Sequence, residues 1–160
     1  MCIRDRPITD CSPGFGSVAK YVATSTLEAG LDVKSMSETS TKVFILEVMG
    51  RHAGWIAAAS ALASTNETDP PHIILMPEVS FVKKKFIDKV KQTVANEGFC
   101  VVVASEGTRY KNGMFLADSG LTDAFGHKQL GGVAPVLAQM ISSIGLKNHW
   151  AVSDLSLIHI

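Results

Sequence analysis

Thr41-Lys42-Val43-Phe44-Ile45-Leu46-Glu47-Val48, followed at once by Met49-Gly50-Arg51-His52-Ala53-Gly54-Trp55, decides the fold class of this 160-residue chain. The first eight residues read as an almost unbroken apolar strand. That is the pattern of a strand covered on both faces, not of one alternating between core and water. The glycine-punctuated turn leads into an alanine-rich stretch, Gly54 to Ala63, whose small side chains predict a helix packed closely on a sheet.

The alternation continues outward in both directions. Upstream, Ser12-Pro13 has the form of a helix start, with serine as N-cap and proline at the first helical position. Phe15, Val18, Ala19 and Val22 then fall on one helical face. Downstream, His72 to Met76 reads as a short buried strand closed by Pro77. Phe81 to Asn96 predicts an amphipathic helix with Val82, Phe86, Val90 and Val94 on its stripe and Gly98 as its stop. Phe99 to Ala104 is a second valine-rich strand. Pro135 to Ile144 is a helix carrying Val136, Leu137, Met140, Ile141 and Ile144 and ended by Gly145, and His149 to Val152 begins a last strand. Arg109 to Gly126 is polar and rich in turn residues, and reads as an exposed excursion. Strands buried on both faces and separated by helices predict an α/β fold of three layers, αβα: a mostly parallel sheet with helices on both faces.

Composition narrows the function classes. Fifteen Lys and Arg balance fifteen Asp and Glu, so no excess positive field is offered to a nucleic acid or a membrane surface. No apolar run approaches the roughly 20 residues that span a bilayer, and the first residues lack the apolar core of a secretion signal. Three cysteines without paired spacing imply a reduced, cytoplasmic setting.

The two ends read differently from the rest. Met1 to Arg6 and Leu155 to Ile160 can be encoded by strings that are reverse complements of one another, in the manner of a transposon adapter read on opposite strands. The expectation is that both hexapeptides are adapter-derived scars, that residues 7–154 are the native part, and that the gene continues in both directions.

In an open parallel sheet, ligands gather outside the carboxyl ends of the strands. Three predicted strand ends therefore belong together: Met49-Gly50-Arg51, Pro77-Glu78 and Ser105-Glu106-Gly107. Gly50 lets the backbone approach a ligand, and Arg51 supplies a planar, permanently charged fork suited to phosphate. A helix starting near Gly54 would add unpaired N–H groups and a positive dipole end. Glu106 is suited to accept hydrogen bonds from sugar hydroxyls. The residues alone leave two readings open. In one the pair binds a ligand bearing a phosphate and hydroxyls; in the other Arg51 pairs with a local carboxylate and Glu106 caps a turn.

Glu47-Val48-Met49-Gly50-Arg51-His52-Ala53-Gly54-Trp55 closely resembles the signature of the phosphofructokinase family. Thr9-Asp10 leading to Pro13-Gly14-Phe15-Gly16, then Pro77-Glu78, then Ser105-Glu106-Gly107 agree with that family in order and spacing. The resemblance covers essentially all of residues 7–154 and implies the sugar-phosphate half of a 6-phosphofructokinase. It implies that Met49, Gly50 and Arg51 form the loop that binds fructose 6-phosphate, with Arg51 also near the transferring phosphoryl group as a catalytic residue, and that Glu106 holds sugar hydroxyls. Lys42 falls where bacterial ATP-dependent relatives carry an arginine that reaches the 6-phosphate of a neighbouring subunit, although lysine cannot form the same fork.

The resemblance further implies Mg²⁺, a homo-oligomer, and a general-base aspartate and donor loop that lie upstream of this chain. Alone, the chain is then expected not to catalyse transfer. Phe125-Gly126-His127-Lys128-Gln129-Leu130-Gly131-Gly132-Val133-Ala134-Pro135, Ser105-Glu106-Gly107-Thr108-Arg109 and Lys111-Asn112-Gly113 resemble the pyrophosphate-dependent branch more than the ATP-dependent one. Pyrophosphate is the expected donor, with ATP as the alternative. The alternative of another class is a non-catalytic, sugar-phosphate-binding regulatory subunit.

Other residues read as structural. His52, His72, His127 and His149 lack metal-ligand spacing and are expected in turns or packing. Cys11 and Cys100 are expected to be inert, with burial raising the Cys100 thiol. Lys83-Lys84-Lys85 reads as a solvated helix face, Glu78 as a strand-end structural residue, and Trp55 as packing at a helix start.

Overall fold

The computed structural model describes residues 14–66, 68–122 and 128–153. The two terminal hexapeptides, Thr9-Asp10, Cys11, the Ser12-Pro13 helix start and His127 lie outside those residues.

A 22-residue helix, α1 (Phe15–Met36), runs into β1 (Val43–Val48), a short helix α2 (Trp55–Ala59) and a 3-10 turn over Ser60–Ala63. Next come β2 (Ile73–Leu75), α3 (Lys83–Glu97) and β3 (Cys100–Ser105). A two-stranded antiparallel ribbon, β4 (Asp118–Thr122) with β5 (Lys128–Leu130), precedes α4 (Val133–Ser142) and β6 (Asn148–Ser153). The main sheet has the order β2-β3-β1-β6, and every pairing in it is parallel.

Successive side chains on a strand point to opposite faces, and the core divides accordingly. Val43 and Ile45 of β1 and Val102 and Ala104 of β3 pack with Phe86 and Val90 of α3 and Leu137 and Ile141 of α4. Phe44, Leu46 and Val48 pack with Val101, Val103, Val22 and Val33 of α1, and Ala57 of α2. The αβα layering predicted from the unbroken apolar strands is therefore present. Gly98 ends α3 in the left-handed region at φ +82°, with its N–H returning to Val94, as its position in the sequence predicts.

Three local expectations are corrected. Phe15 is 57% exposed; the buried line of α1 runs through Ala19, Val22, Thr26, Gly30 and Val33 instead. The alanine-rich segment is not one helix: it tightens into the 3-10 turn at Ser60, whose hydroxyl donates to the Ala57 carbonyl. The stretch after Arg109 is not a simple polar excursion. It forms a tight turn in which Arg109 bridges to Phe115, buries Leu116 and Ala117 in the core, and then enters the ribbon.

Candidate functional site

The strand order makes a crevice. β1 leaves its carboxyl end toward α2 on one face, whereas its neighbour β3 leaves toward Leu116, Ala117 and α4 on the other. Adjacent strands that exit to opposite faces open a cleft between their ends, where open α/β sheets bind ligands. Val48 pairs with Ser105 at that end, so Met49-Gly50-Arg51 and Glu106-Gly107 lie side by side.

The Gly50 peptide is held from both directions. The Ser105 hydroxyl donates to its carbonyl, and its N–H points to Glu106 Oε1 at 3.4 Å. The Glu106 N–H donates to the Val48 carbonyl at 3.0 Å, which continues the parallel ladder one step past the strands. Gly50 sits at φ +141°, and a Cβ there would meet the Ala53 carbonyl oxygen at 2.6 Å and Ser105 Oγ at 2.8 Å. A Cβ on Gly107 would collide with the carbonyls of Gly50 and Arg51. Gly107 is there because two backbone segments approach too closely for any side chain, and Gly50 because its positive φ, its own turn and the Ser105 hydroxyl leave no room for one.

Among the described residues the Arg51 guanidinium has no hydrogen bond or ion pair; only its carbonyl is engaged, by Arg109 Nη2 at 3.4 Å. The reading in which Arg51 pairs with a local carboxylate is not what these residues show. Glu106 is half-buried and does brace the Gly50 turn, so the alternative reading of that residue is partly right. Met49 is half-buried beside them.

Two expectations about the surroundings change. The start of α2 offers one N–H fewer than expected, because Glu78 Oε1 accepts the N–H of its N-cap residue Gly54 at 2.8 Å. This gives Glu78 the strand-end structural role expected of it. Trp55 does not pack at the helix start; it is 72% exposed.

Lys42 stands apart. Its N–H donates to the Lys147 carbonyl and its own carbonyl accepts from Cys100, at the amino end of β1. Six strand residues at about 3.3 Å each put it about 20 Å from Gly50, so one chain does not bring it to the cleft.

Arg109 enters the sequence reading only within the stretch that resembles the pyrophosphate-dependent branch, and was given no place in the site. Its Nη2 lies 2.8 Å from His52 Nδ1, and its guanidinium carbon sits 4.3 Å from the Phe115 ring centre. An arginine in a glycine-rich turn has no periodicity that separates it from a solvated one.

The remaining candidates behave structurally. His72 Nδ1 accepts the Val101 N–H at 3.0 Å, its ring meets Phe99 edge-on, and burial holds its pKa below 6.5. Burial pushes the Cys100 thiol up to about 12. Lys83, Lys84 and Lys85 are exposed. No described helix is long and apolar enough to cross a membrane.

Residues 4–152 match the family described as Phosphofructokinase. The chain belongs to the phosphofructokinase family. Among phosphofructokinases it is 66% identical, over 94% of its length, to a protein of Halomonas elongata named pyrophosphate–fructose 6-phosphate 1-phosphotransferase, of which it covers 36%. It is 36% identical, over 84% of its length, to ATP-dependent 6-phosphofructokinase 3 of Streptomyces coelicolor, of which it covers 37%. The crystal structure of a pyrophosphate-dependent phosphofructokinase from Marinobacter aquaeolei superposes with a TM-score of 0.74 at 58% identity, over 92% of this chain and 33% of that one. The chain thus spans about a third of the length of the phosphofructokinases it matches.

Proposed function

We propose that this chain supplies the acceptor-binding part of an enzyme that transfers a phosphoryl group from pyrophosphate to the 1-hydroxyl of fructose 6-phosphate, giving fructose 1,6-bisphosphate. The observation that carries the reading is the Arg51 guanidinium, unpartnered among the described residues, on a turn whose Gly50 peptide is fixed by Ser105 and Glu106. A rigid turn presenting a free fork suits a phosphate oxygen pair and a developing phosphoryl charge. Glu106 has acceptor capacity beyond Gly50 for sugar hydroxyls, and Met49 offers an apolar edge to the sugar.

In the proposed step the hydroxyl oxygen bonds to phosphorus, the anhydride bond of pyrophosphate breaks, and orthophosphate leaves. The hydroxyl proton passes to the aspartate that the resemblance sets upstream. Mg²⁺ would neutralise phosphate charge when bound. The resemblance sets its ligands upstream, and in this reading the residues described here hold the acceptor. Pyrophosphate is favoured as donor because the 66% identical relative bears that activity in its name and the ATP-dependent one is 36% identical. The location of Lys42, at the far end of β1, supports a role toward a neighbouring copy in a homo-oligomer. The proposed setting is the cytoplasm.

The test is activity of the full-length protein with each donor. Turnover with pyrophosphate is expected, and Arg51→Ala should lower kcat/KM about tenfold or more, as for a lost charged hydrogen bond. Turnover with ATP alone would replace the donor. Tight fructose 6-phosphate binding without turnover would make the protein a regulatory subunit.

A further inference from the structure

Arg109 sits where the proposed phosphate loop is held, yet neither the resemblance nor the relatives' names assign it anything. Its Nη2 is within 3.4 Å of the Arg51 carbonyl and 2.8 Å of His52 Nδ1, so one nitrogen grips two successive residues of the loop. The guanidinium itself cannot swing freely. It is stacked over Phe115, with which Arg109 also forms a backbone bridge, and the Arg109 carbonyl accepts the Phe81 N–H at 2.7 Å. Its Nε is buried without a partner among the described residues. Holding a guanidinium with one N–H unsatisfied costs stability, so packing dictates its place more than hydrogen bonding does. Gly107, two residues earlier, lies against the same Arg51 carbonyl.

We infer that Arg109 is a positioning residue that fixes the Arg51-His52 backbone and so sets where the Arg51 fork is presented to the phosphate. The inference rests on the reading of Arg51 given above. Arg109 contributes a fixed donor, not a charge for the ligand: its near terminal nitrogen is already spent on protein acceptors. A guanidinium is needed because a planar fork held by an aromatic face keeps its direction, whereas an ammonium does not. Freed from Arg109, the carbonyl of Arg51 and the ring of His52 would lose their common anchor, and the loop would sample orientations that do not meet the substrate.

The test uses the full-length protein and four variants: Arg109→Met, Arg109→Lys, Arg51→Ala and the Arg109→Met/Arg51→Ala double. Arg109→Met should raise KM for fructose 6-phosphate about tenfold, as for a lost charged hydrogen bond, and leave KM for pyrophosphate unchanged. Arg109→Lys should recover part of that loss, since lysine restores one donor. In the double variant the loss should equal that of Arg51→Ala alone, because a residue acting through Arg51 adds nothing once Arg51 is gone. Additive losses would mean that Arg109 meets the substrate directly and would overturn the inference. So would an unchanged KM in a folded Arg109→Met, or, should that variant not fold, an unchanged KM in Arg109→Lys. If Arg51→Ala is silent while Arg109→Met is not, the role given to Arg51 fails. If Arg51→Ala is damaging while Arg109→Met is silent, that role stands and only the positioning inference fails.

Discussion

The carboxylate of Glu47, inside β1, accepts the backbone N–H of Ala134 at 2.8 Å. Glu47 is 5% exposed and lies on the face that carries Val43 and Ile45. It thus joins the strand that leads into the candidate site to the first turn of α4. A negative group at a helix N-terminus is favourable, and a buried carboxylate is tolerated only when so bonded. Gly132, at φ +92°, leaves the room: a Cβ there would lie 3.4 Å from Glu47 Oε2. Glu47→Leu should therefore cost about 1–3 kcal/mol, because the Ala134 N–H is left buried without an acceptor. Glu47→Gln keeps an acceptor oxygen and should cost less. Urea denaturation of both variants checks this, and equal losses would reject the capping role.

Glycines at the site and away from it should respond oppositely. Gly107→Ala drives a methyl into the Gly50 and Arg51 carbonyls, so it should lower the melting temperature and weaken fructose 6-phosphate binding together. Gly16, in the first turn of α1, has open space where a Cβ would sit. Gly16→Ala should be neutral or stabilising by up to about 1 kcal/mol. Differential scanning fluorimetry on the pair decides it; a harmless Gly107→Ala would mean that the two strand ends are not held as close as described.

What could be read from the sequence follows from what each element does with its side chains. β1 and β3 were legible because parallel strands covered on both faces are apolar throughout. Gly98 was legible because a left-handed helix end favours glycine strongly. The ribbon was not: Asp118–Thr122 and Lys128–Leu130 have no apolar alternation to mark them. The early end of α2 was also hidden, since alanine favours helix and the tightening comes from Ser60 bonding back to Ala57. At the site, Gly50, Arg51 and Glu106 could be placed together from strand ends alone. The Arg109 anchor could not, because it depends on the turn that brings Phe115 back beside Arg109.

His72 gives a pH dependence with a defined sign. Burial lowers its pKa from 6.5, with the Glu97 charge opposing, and Nδ1 must stay unprotonated to accept from Val101. The unfolded chain then takes up a proton near pH 6.5 that the folded chain takes up only at lower pH. Stability is full above about pH 6.5 and falls as the pH drops toward the folded-state pKa. An NMR titration of the His72 ring should show a midpoint below 6.5 and an Nε2–H tautomer at neutral pH. A midpoint above 6.5 would contradict the burial described.

The two tryptophans of the chain, Trp55 and Trp150, are 72% and 42% exposed, on α2 and on the edge strand β6. Phe15, Tyr21, Leu27 and Leu31 of α1 are exposed as well. Scattered apolar residues are ordinary on a surface, but this many large ones on three elements are more than a free-standing domain usually shows. In a chain spanning about a third of its relatives' length, they have a natural cover in the rest of the longer protein. The 160-residue chain alone should therefore bind a hydrophobic dye, and its tryptophan emission should be red-shifted and readily quenched by acrylamide. In the full-length protein the emission of whichever tryptophan is covered should move to the blue, and single Trp→Phe variants identify which. Identical quenching in both forms would show that neither surface meets the remainder of the protein.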